Sequence, residues 1–600
     1  MTKPTQRQTR GQVVWNLTEL FSDVSDPKIN KTIKEATVLA DCFEKKYRGK
    51  ILQLTPNGLF ECLQDIEEFN KKFSDVGLYS SLLFAANMTI PKVQMLNDKV
   101  DKLSAKFSMQ LAFYRLELGA LLKSYPQIIN DSILANYRHF LERTLRRVSH
   151  QLSEVEEQLV IEKDQFGVNA WEELQSKWLN TRVFEIAVMG KKDYYSYSEA
   201  SGLLHHADRA TRESACRSIY RLLDQDGEIF SSALRNICND WVTTSKRRKY
   251  QSPMEASLIN NDTEQEIINN LLKSIKDGTK IYQHYLKIKA KLMNLPTLYN
   301  YDLTAPIPDA TEFKFTFKQA QNLIIEAYSN FDPEYTISAK EMFTKQHIDA
   351  APRFGKRNGA FCAKHYNGKS SYILQNFNGT LNDVFTLAHE LGHATHDWYM
   401  TRNQTPLNVN VPSIVAETAS IFSELLLSDL LLTKAKTNKE RRTILCHILD
   451  EAGLTAFQVT ARVWFEQALY QSIQQNKYLD YPTICKHWTT ARNRIFGNTV
   501  TWLPELQAEW TMKPHYYMAN YRFYNYPYVY AQMFVYSLYE QYLTNKKHFP
   551  QKLKKALSAG NSITPLDIAQ TLQLNPKTPN FWQNSLKTFT NFTNTLQKTL

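Results

Sequence analysis

The sequence predicts a mainly α fold interrupted by one small patch of strands. Three observations carry this expectation. The 600 residues contain 18 Gly and 21 Pro, so few breakers that long unbroken helices are expected. Apolar residues recur at three- and four-residue steps over long stretches. One aromatic-rich segment, 359–377, departs from that rhythm.

Along the chain, Ile29, Ile33, Ala36, Ala40, Phe43 and Tyr47 mark a first helix face. Leu103, Phe107, Leu111, Tyr114 and Leu118 mark another, and the stretch from Leu141 to Leu179 continues the pattern with few breakers. No internal repeat is visible. Residues 359–377 read GAFCAKHYNGKSSYILQNF, two extended runs flanking Asn367-Gly368, which is a hairpin signal. Thr380 then opens a helix, with Asp383 placed for a capping box and Asn378-Gly379 turning the chain ahead of it. Its apolar positions are Val384, Leu387, Leu391 and Trp398. A further helix is expected over 411–432, VPSIVAETASIFSELLLSDLLL, with Pro412 near its start and Ile414, Ile421, Phe422, Leu425 and Leu426 as its apolar face. These readings divide the chain into an N-terminal helical lobe, 1–190, and a larger helical lobe, 191–600, that carries the strands and the site.

Composition narrows the function. Hydrophobic content of 43% with 12% aromatic residues can build large cores, and the mixed charges argue against disorder. The start, MTKPTQRQTRG, is basic with no apolar run behind it, so a secretory signal is not expected. Apolar runs such as LLLSDLLL are too short and interrupted to span a membrane. The seven Cys are scattered without a CxxC pair, which suggests neither a disulfide framework nor a thiolate zinc site. Together these features predict a cytoplasmic protein. The net charge of +12 comes with short basic clusters far apart, at Lys246 to Lys249, Arg441-Arg442 and Lys552 to Lys555. They read as solvated helix faces, and neither a nucleic-acid nor a membrane partner is expected.

The chemistry concentrates in LAHELGHATH, Leu387 to His396, which holds three of the chain's 14 His. His389 and His393 are four residues apart, so a helix stacks both imidazoles on one face, one turn apart. Neutral imidazole nitrogens suit zinc, and Glu390 beside the first ligand can reach a water at the metal. This is the HExxH pattern of zinc peptidases. The longer HExxHxxGxxH motif is excluded, because His396 and Tyr399 stand where it asks for Gly and His. His396 therefore reads as a helix-face residue or a support for the ligands. Asp397, four residues after His393, either supports a ligand imidazole or is solvated.

A catalytic zinc needs a third protein ligand and an open position. No Glu lies between His393 and Glu417. Glu417 and Glu424 sit two turns apart on the apolar helix of 411–432, where acids are costly unless they meet a cation or donors. Glu417 is assigned as the third ligand of one Zn2+ per chain, and Glu424 as the carboxylate that orients a ligand imidazole.

WNLTELF (15–21), GKRNGAF (355–361), NFNGTLNDVFTLAHELGHATH (376–396) and IVAETASIFSE (414–424) resemble the oligoendopeptidase F family, within the thimet oligopeptidase and neurolysin group of zinc peptidases. The resemblance covers nearly the whole chain. It implies a two-lobed helical body with a deep channel, a cytoplasmic location, and cleavage of short peptides. It also implies His389, His393 and Glu417 as zinc ligands and Glu390 as the catalytic residue. The segment 513–534, KPHYYMANYRFYNYPYVYAQMF, looks like the family's C-terminal His-and-Tyr motif, whose members face the substrate carbonyl. His515 matches the family's His, and Tyr524, Tyr526 and Tyr528 are the tyrosine candidates. Tyr530-Ala531-Gln532 stands where relatives often carry Phe/Tyr-Gly-Tyr, which leaves the tyrosine partner open.

In the expected mechanism Glu390 takes a proton from the attacking water and passes it to the departing amine. Zinc and donors from 515–528 stabilise charge on the carbonyl oxygen. The strand 371–377 is the expected edge for an extended peptide. The alternatives are an exopeptidase that removes C-terminal dipeptides and a peptide-binding protein without activity; the intact HExxH and Glu417 speak against the second.

Overall fold

In the computed structural model, which describes residues 13–519 and 521–600, helices dominate and the strands are few and short. The basic start MTKPTQRQTRG lies outside the described residues. No described helix is long and apolar enough to cross a membrane. All seven Cys are free thiols.

The chain folds into two compact units, each assembled from three segments. One comprises the chain up to Ser149, Glu312–Thr433 and Tyr542–Leu574; the other comprises His150–Thr311, Lys434–Gln541 and Asn575–Leu600. The expected lobes, 1–190 and 191–600, do not coincide with these units. Residues 150–190 join the second unit because their side chains bond within it. Trp178 Nε1 donates to Asp226 at 2.6 Å, Arg248 pairs with Glu157 through Nη1 and Nη2, and Gln175 donates to the Thr511 carbonyl at 3.1 Å.

In the first unit the N-terminal helices Pro27–Tyr47, Pro56–Ala86 and Pro91–Gln110 each begin with proline, whose missing N–H costs nothing at a helix start. Ile29, Ile33, Ala36, Ala40, Phe43 and Tyr47 are all buried, as their spacing requires. The second face is split. Helix Pro91–Gln110 ends at Leu111 and Ala112–Ser124 follows, yet Phe107, Tyr114 and Leu118 share one core. Trp15, Leu17 and Phe21 pack with Tyr372 and Leu374, so the N-terminal segment covers one face of a small sheet.

That sheet has three strands in the order Ile348–Asp349, Ser370–Leu374, Phe361–His365. The last two form the expected antiparallel hairpin, with His365 opposite Ser370. Its left-handed turn residue is Lys369, at φ 48°, rather than Gly368. Gly368 is needed for room, since a Cβ there would lie 2.4 Å from the His365 ring. The expected substrate edge is corrected here. Strand Ser370–Leu374 is central, pairing with Ile348–Asp349 on one side and with Phe361–His365 on the other. Among the described residues Phe361–His365 has one partner strand and presents a free edge, the other edge of the sheet being Ile348–Asp349.

The second unit is built from long helices, among them Arg209–Gln225, Gly227–Arg247, Gln265–Leu292, Val459–Gln474 and Tyr481–Phe496. It also holds a hairpin that helical periodicity hides, Val183–Val188 with Lys191–Ser196. Met189 and Gly190 both take positive φ, the two-residue turn that matches strand twist. Over Leu141–Leu179 the pattern is not one helix but three, broken at Ser149–Ser153 and at Gly167.

Candidate active site

The helix Leu381–Asn403 begins as its sequence dictates. Thr380 Oγ1 accepts from the Asp383 N–H at 3.2 Å, and the Asp383 carboxylate accepts from the Thr380 N–H at 3.0 Å. Gly379 ahead of it takes φ 85° and lies against the Phe315 carbonyl, where a Cβ would come within 2.6 Å. The helix packs on strands Ser370–Leu374 and Phe361–His365 and on helix Thr336–Thr344, within the first unit. Hydrogen bonds fix it laterally: Ser338 to Thr395 at 2.8 Å, and Trp398 Nε1 to Glu341 at 2.9 Å.

The expected 411–432 helix is two pieces, Ser413–Ala416 and Thr418–Lys434. Glu417 stands at the interruption, with φ −85° and ψ 4°. There its carboxylate reaches the imidazoles. His389 Nε2 and His393 Nε2 are 3.2 Å apart, and Glu417 Oε2 lies 3.2 Å from the first and 3.4 Å from the second. A tetrahedron of ligands about 2.0–2.1 Å from zinc has edges of about 3.3–3.4 Å. The three atoms are therefore spaced as one face of a tetrahedral site, which leaves the fourth corner for water or substrate. Among the described residues they form the group of His, Cys, Asp and Glu side chains able to hold a metal ion.

Glu424 faces the other nitrogen of His389, with Oε1 at 2.5 Å from Nδ1. Such a carboxylate fixes the ring and keeps Nε2 as the coordinating atom. Ser420 donates to Glu417 Oε2 at 2.7 Å and holds that carboxylate in turn. Burial disfavours a charged His389, but Glu417 and Glu424 outweigh it and hold its pKa well above the usual histidine range. Burial also opposes ionised Glu417, yet the bond to His389 and the fields of both imidazoles bring its pKa down to about 2. The acids call for positive charge at this point, which a proton on His389 or a divalent cation at the three ligand atoms supplies. His393 goes the other way: burial takes its pKa down to about 4, so it is a neutral donor at pH 7.

Glu390 lines a pocket of about 470 Å³, shared with the ligand candidate His393 and with His396, Cys362 and Lys364. It is 7% exposed, and burial pushes its pKa up to about 7. A carboxyl of that kind exchanges a proton with water near neutral pH. The free-edge strand Phe361–His365 forms one wall of this pocket.

Two sequence expectations change. Asp397 is buried, neither solvated nor bonded to a ligand imidazole. It accepts from Ser371 Oγ at 2.9 Å and pairs with Lys364 at 3.5 Å, tying the helix to the hairpin. Tyr526 is fully buried, and its hydroxyl donates to the Ser257 carbonyl at 3.1 Å, a structural bond that leaves it nothing to offer a substrate. His396 is a buried pocket residue whose pKa burial takes down to about 3.

In the second unit His515 stacks on Tyr524, ring centroids 4.8 Å apart and 11° from parallel. Tyr528 donates to the Tyr524 hydroxyl at 2.5 Å. Burial, Arg462 and Lys513 lower the His515 pKa, so its imidazole is neutral at pH 7.

One residue escaped the sequence reading. Gly392, inside HELGH, lets two helices touch: a Cβ there would lie 2.5 Å from the Ala419 carbonyl oxygen and 2.5 Å from Ser420 Cα. The only signal was a glycine within an otherwise unbroken helix.

Comparison with known proteins places the chain in a family. Residues 202–588 match the model of peptidase family M3, and residues 123–180 match that of oligopeptidase F. The oligopeptidase PepF of Bacillus subtilis is 25% identical over 98% of this chain and 87% of its own length. The group B oligopeptidase PepB of Streptococcus agalactiae is 26% identical over 92% of this chain and 91% of its own. Among solved structures, a chain from Chlamydophila abortus superposes with a TM-score of 0.87 at 23% identity, covering 99% of both chains. Oligoendopeptidase-F of Enterococcus faecium gives 0.69 at 20% identity, covering 95% of this chain and 98% of that one. Both have the same mainly α fold.

Proposed function

The chain belongs to peptidase family M3, and from that premise we propose that this metalloendopeptidase is zinc-dependent and hydrolyses short oligopeptides in the cytoplasm. The observation that carries the zinc assignment is the spacing of His389 Nε2, His393 Nε2 and Glu417 Oε2 at 3.2–3.4 Å. Two imidazoles and a carboxylate are a donor set that suits zinc, with one position left open for catalysis. When bound, the ion supplies Lewis acidity to a carbonyl oxygen and makes water more acidic.

Glu390 is the proposed general base. Its carboxylate takes a proton from the water that attacks the scissile carbonyl and returns it to the departing amine nitrogen. Glu424 holds His389 by Nδ1, so the ligand does not swing during turnover. The free edge of strand Phe361–His365 is the proposed rail for an extended peptide, since it borders the pocket that holds Glu390. Main-chain pairing reads backbone, so broad sequence preference follows. On the family resemblance, His515 with Tyr524 or Tyr528 is proposed to donate to the carbonyl oxygen as it gains charge.

The test is Glu390→Gln against a graded set of peptides, with zinc content measured in parallel. The variant should keep its metal and still bind peptide while kcat falls by about 10²–10⁴-fold. Near-normal turnover at full zinc occupancy would remove Glu390 from the mechanism. Cleavage within the longer peptides identifies an endopeptidase, whereas release of C-terminal dipeptides alone would identify the exopeptidase.

A further inference from the structure

Arg492 is a buried cation without a counter-ion among the described residues. It lies on helix Tyr481–Phe496 in the second unit and is 6% exposed. No carboxylate among the described residues lies within 4.0 Å of its guanidinium. Glu509, the acid whose field reaches it, pairs instead with Lys513 at 3.2 Å. Among the described residues the guanidinium makes one protein hydrogen bond, Nη1 to the Leu506 carbonyl at 3.1 Å, and Nε is buried with no partner. Trp502 covers one face of the group, with its ring centroid 3.9 Å away. Stacking leaves the in-plane N–H groups free to bond.

These unmet donors do not stand alone. Arg492 lines a pocket of about 150 Å³ together with Arg462, Trp488 and Trp502, and with Glu509, whose carboxylate is engaged by Lys513. Trp488 Nε1 and Trp502 Nε1 are also buried without partners. Arg462 is a second guanidinium with no carboxylate within 4.0 Å among the described residues. Burial lowers the Arg492 pKa to about 10, which still leaves it charged at neutral pH. An unpaired buried charge is costly, and buried donors without acceptors add to that cost. Two cations and two indole N–H groups around one small cavity are complementary to a negative acceptor of small size.

We propose that this pocket binds a compact monoanion, held in the plane of the Arg492 guanidinium with Arg462 as the second cation. The chemistry is shared by a free inorganic anion and by the carboxylate of a peptide terminus. The volume admits an ion or one small carboxylic acid and excludes larger anions such as nucleotides.

The full chain, held in sodium gluconate at fixed ionic strength, is titrated with sodium chloride or sodium acetate, and Tm and tryptophan fluorescence are read. The expected result is a saturable change in tryptophan fluorescence and a rise in Tm of about 1 °C at tenfold excess over Kd. Arg492→Gln should weaken binding by about 10–100-fold, the usual loss when a charged hydrogen bond is removed. Arg462→Gln should weaken it as well, and it disturbs a less buried side chain if Arg492→Gln fails to fold. A response to chloride assigns the pocket to a free inorganic ion. A response to acetate alone assigns it to a carboxylate, and a free-acid peptide should then compete where its C-terminal amide does not. Equal behaviour in chloride, acetate and gluconate overturns the proposal, as does an undiminished response in every folded variant.

Discussion

Gly392→Ala is a small change that the structure predicts to be damaging. By local propensity it should help, since alanine in a helix interior is favoured over glycine by about 1 kcal/mol. The new methyl, however, would sit 2.5 Å from the Ala419 carbonyl oxygen and from Ser420 Cα. Both are backbone atoms, so no side chain can swing aside. Restoring ordinary contact near 3.4 Å requires helix Thr418–Lys434 to retreat by about 0.9 Å. Glu417 immediately precedes that helix and would move with it, widening its 3.2 and 3.4 Å separations from the imidazoles toward about 4 Å, beyond the edge of a tetrahedral zinc site. Overpacking of this kind costs about 1–3 kcal/mol. Zinc affinity should fall by roughly 10–100-fold, the usual effect of disturbing the support of a ligand. Competition with a chromophoric chelator measures the affinity, and urea unfolding with far-UV circular dichroism measures the fold. A folded Gly392→Ala protein that binds zinc as tightly as the parent would refute the idea that this close approach sets the third ligand.

The double variant His389→Ala, His393→Ala should lose stoichiometric zinc by metal analysis while keeping its helical circular dichroism, because the long helices and large cores do not depend on one ion. Glu466 should shape the pH dependence of stability. It is buried, accepts from the Phe523 N–H at 2.8 Å, and burial pushes its pKa up from 4.5 to about 7. A raised folded-state pKa means that its contribution is full below the unfolded value and is lost as pH rises through the folded one. Glu466→Gln stays neutral throughout, so between pH 5 and pH 8 it should lose less stability than the parent, by up to about 3 kcal/mol. Parallel slopes for the two proteins in urea titrations at those pH values would contradict the assignment.

The sequence by itself determined whatever depends on neighbours along the chain. His389 and His393 share a helix face because their spacing is one turn, and Thr380 with Asp383 caps that helix because the two are three residues apart. The hairpin around Asn367-Gly368 follows from local turn chemistry, and Glu417 stood out as an acid in an apolar run. Tertiary structure decided the rest. It set Glu424 against His389 Nδ1, gave Asp397 to Ser371 and Lys364, and spent the Tyr526 hydroxyl on Ser257. It made Phe361–His365 rather than 371–377 an edge strand, and it gathered each compact unit from three separate segments. Arg492 looked like any helix arginine until its surroundings were known. The physical reason is common to all of these. Periodicity and capping are written within a few residues, whereas burial, pairing and close approach depend on which distant segments come to lie against a side chain.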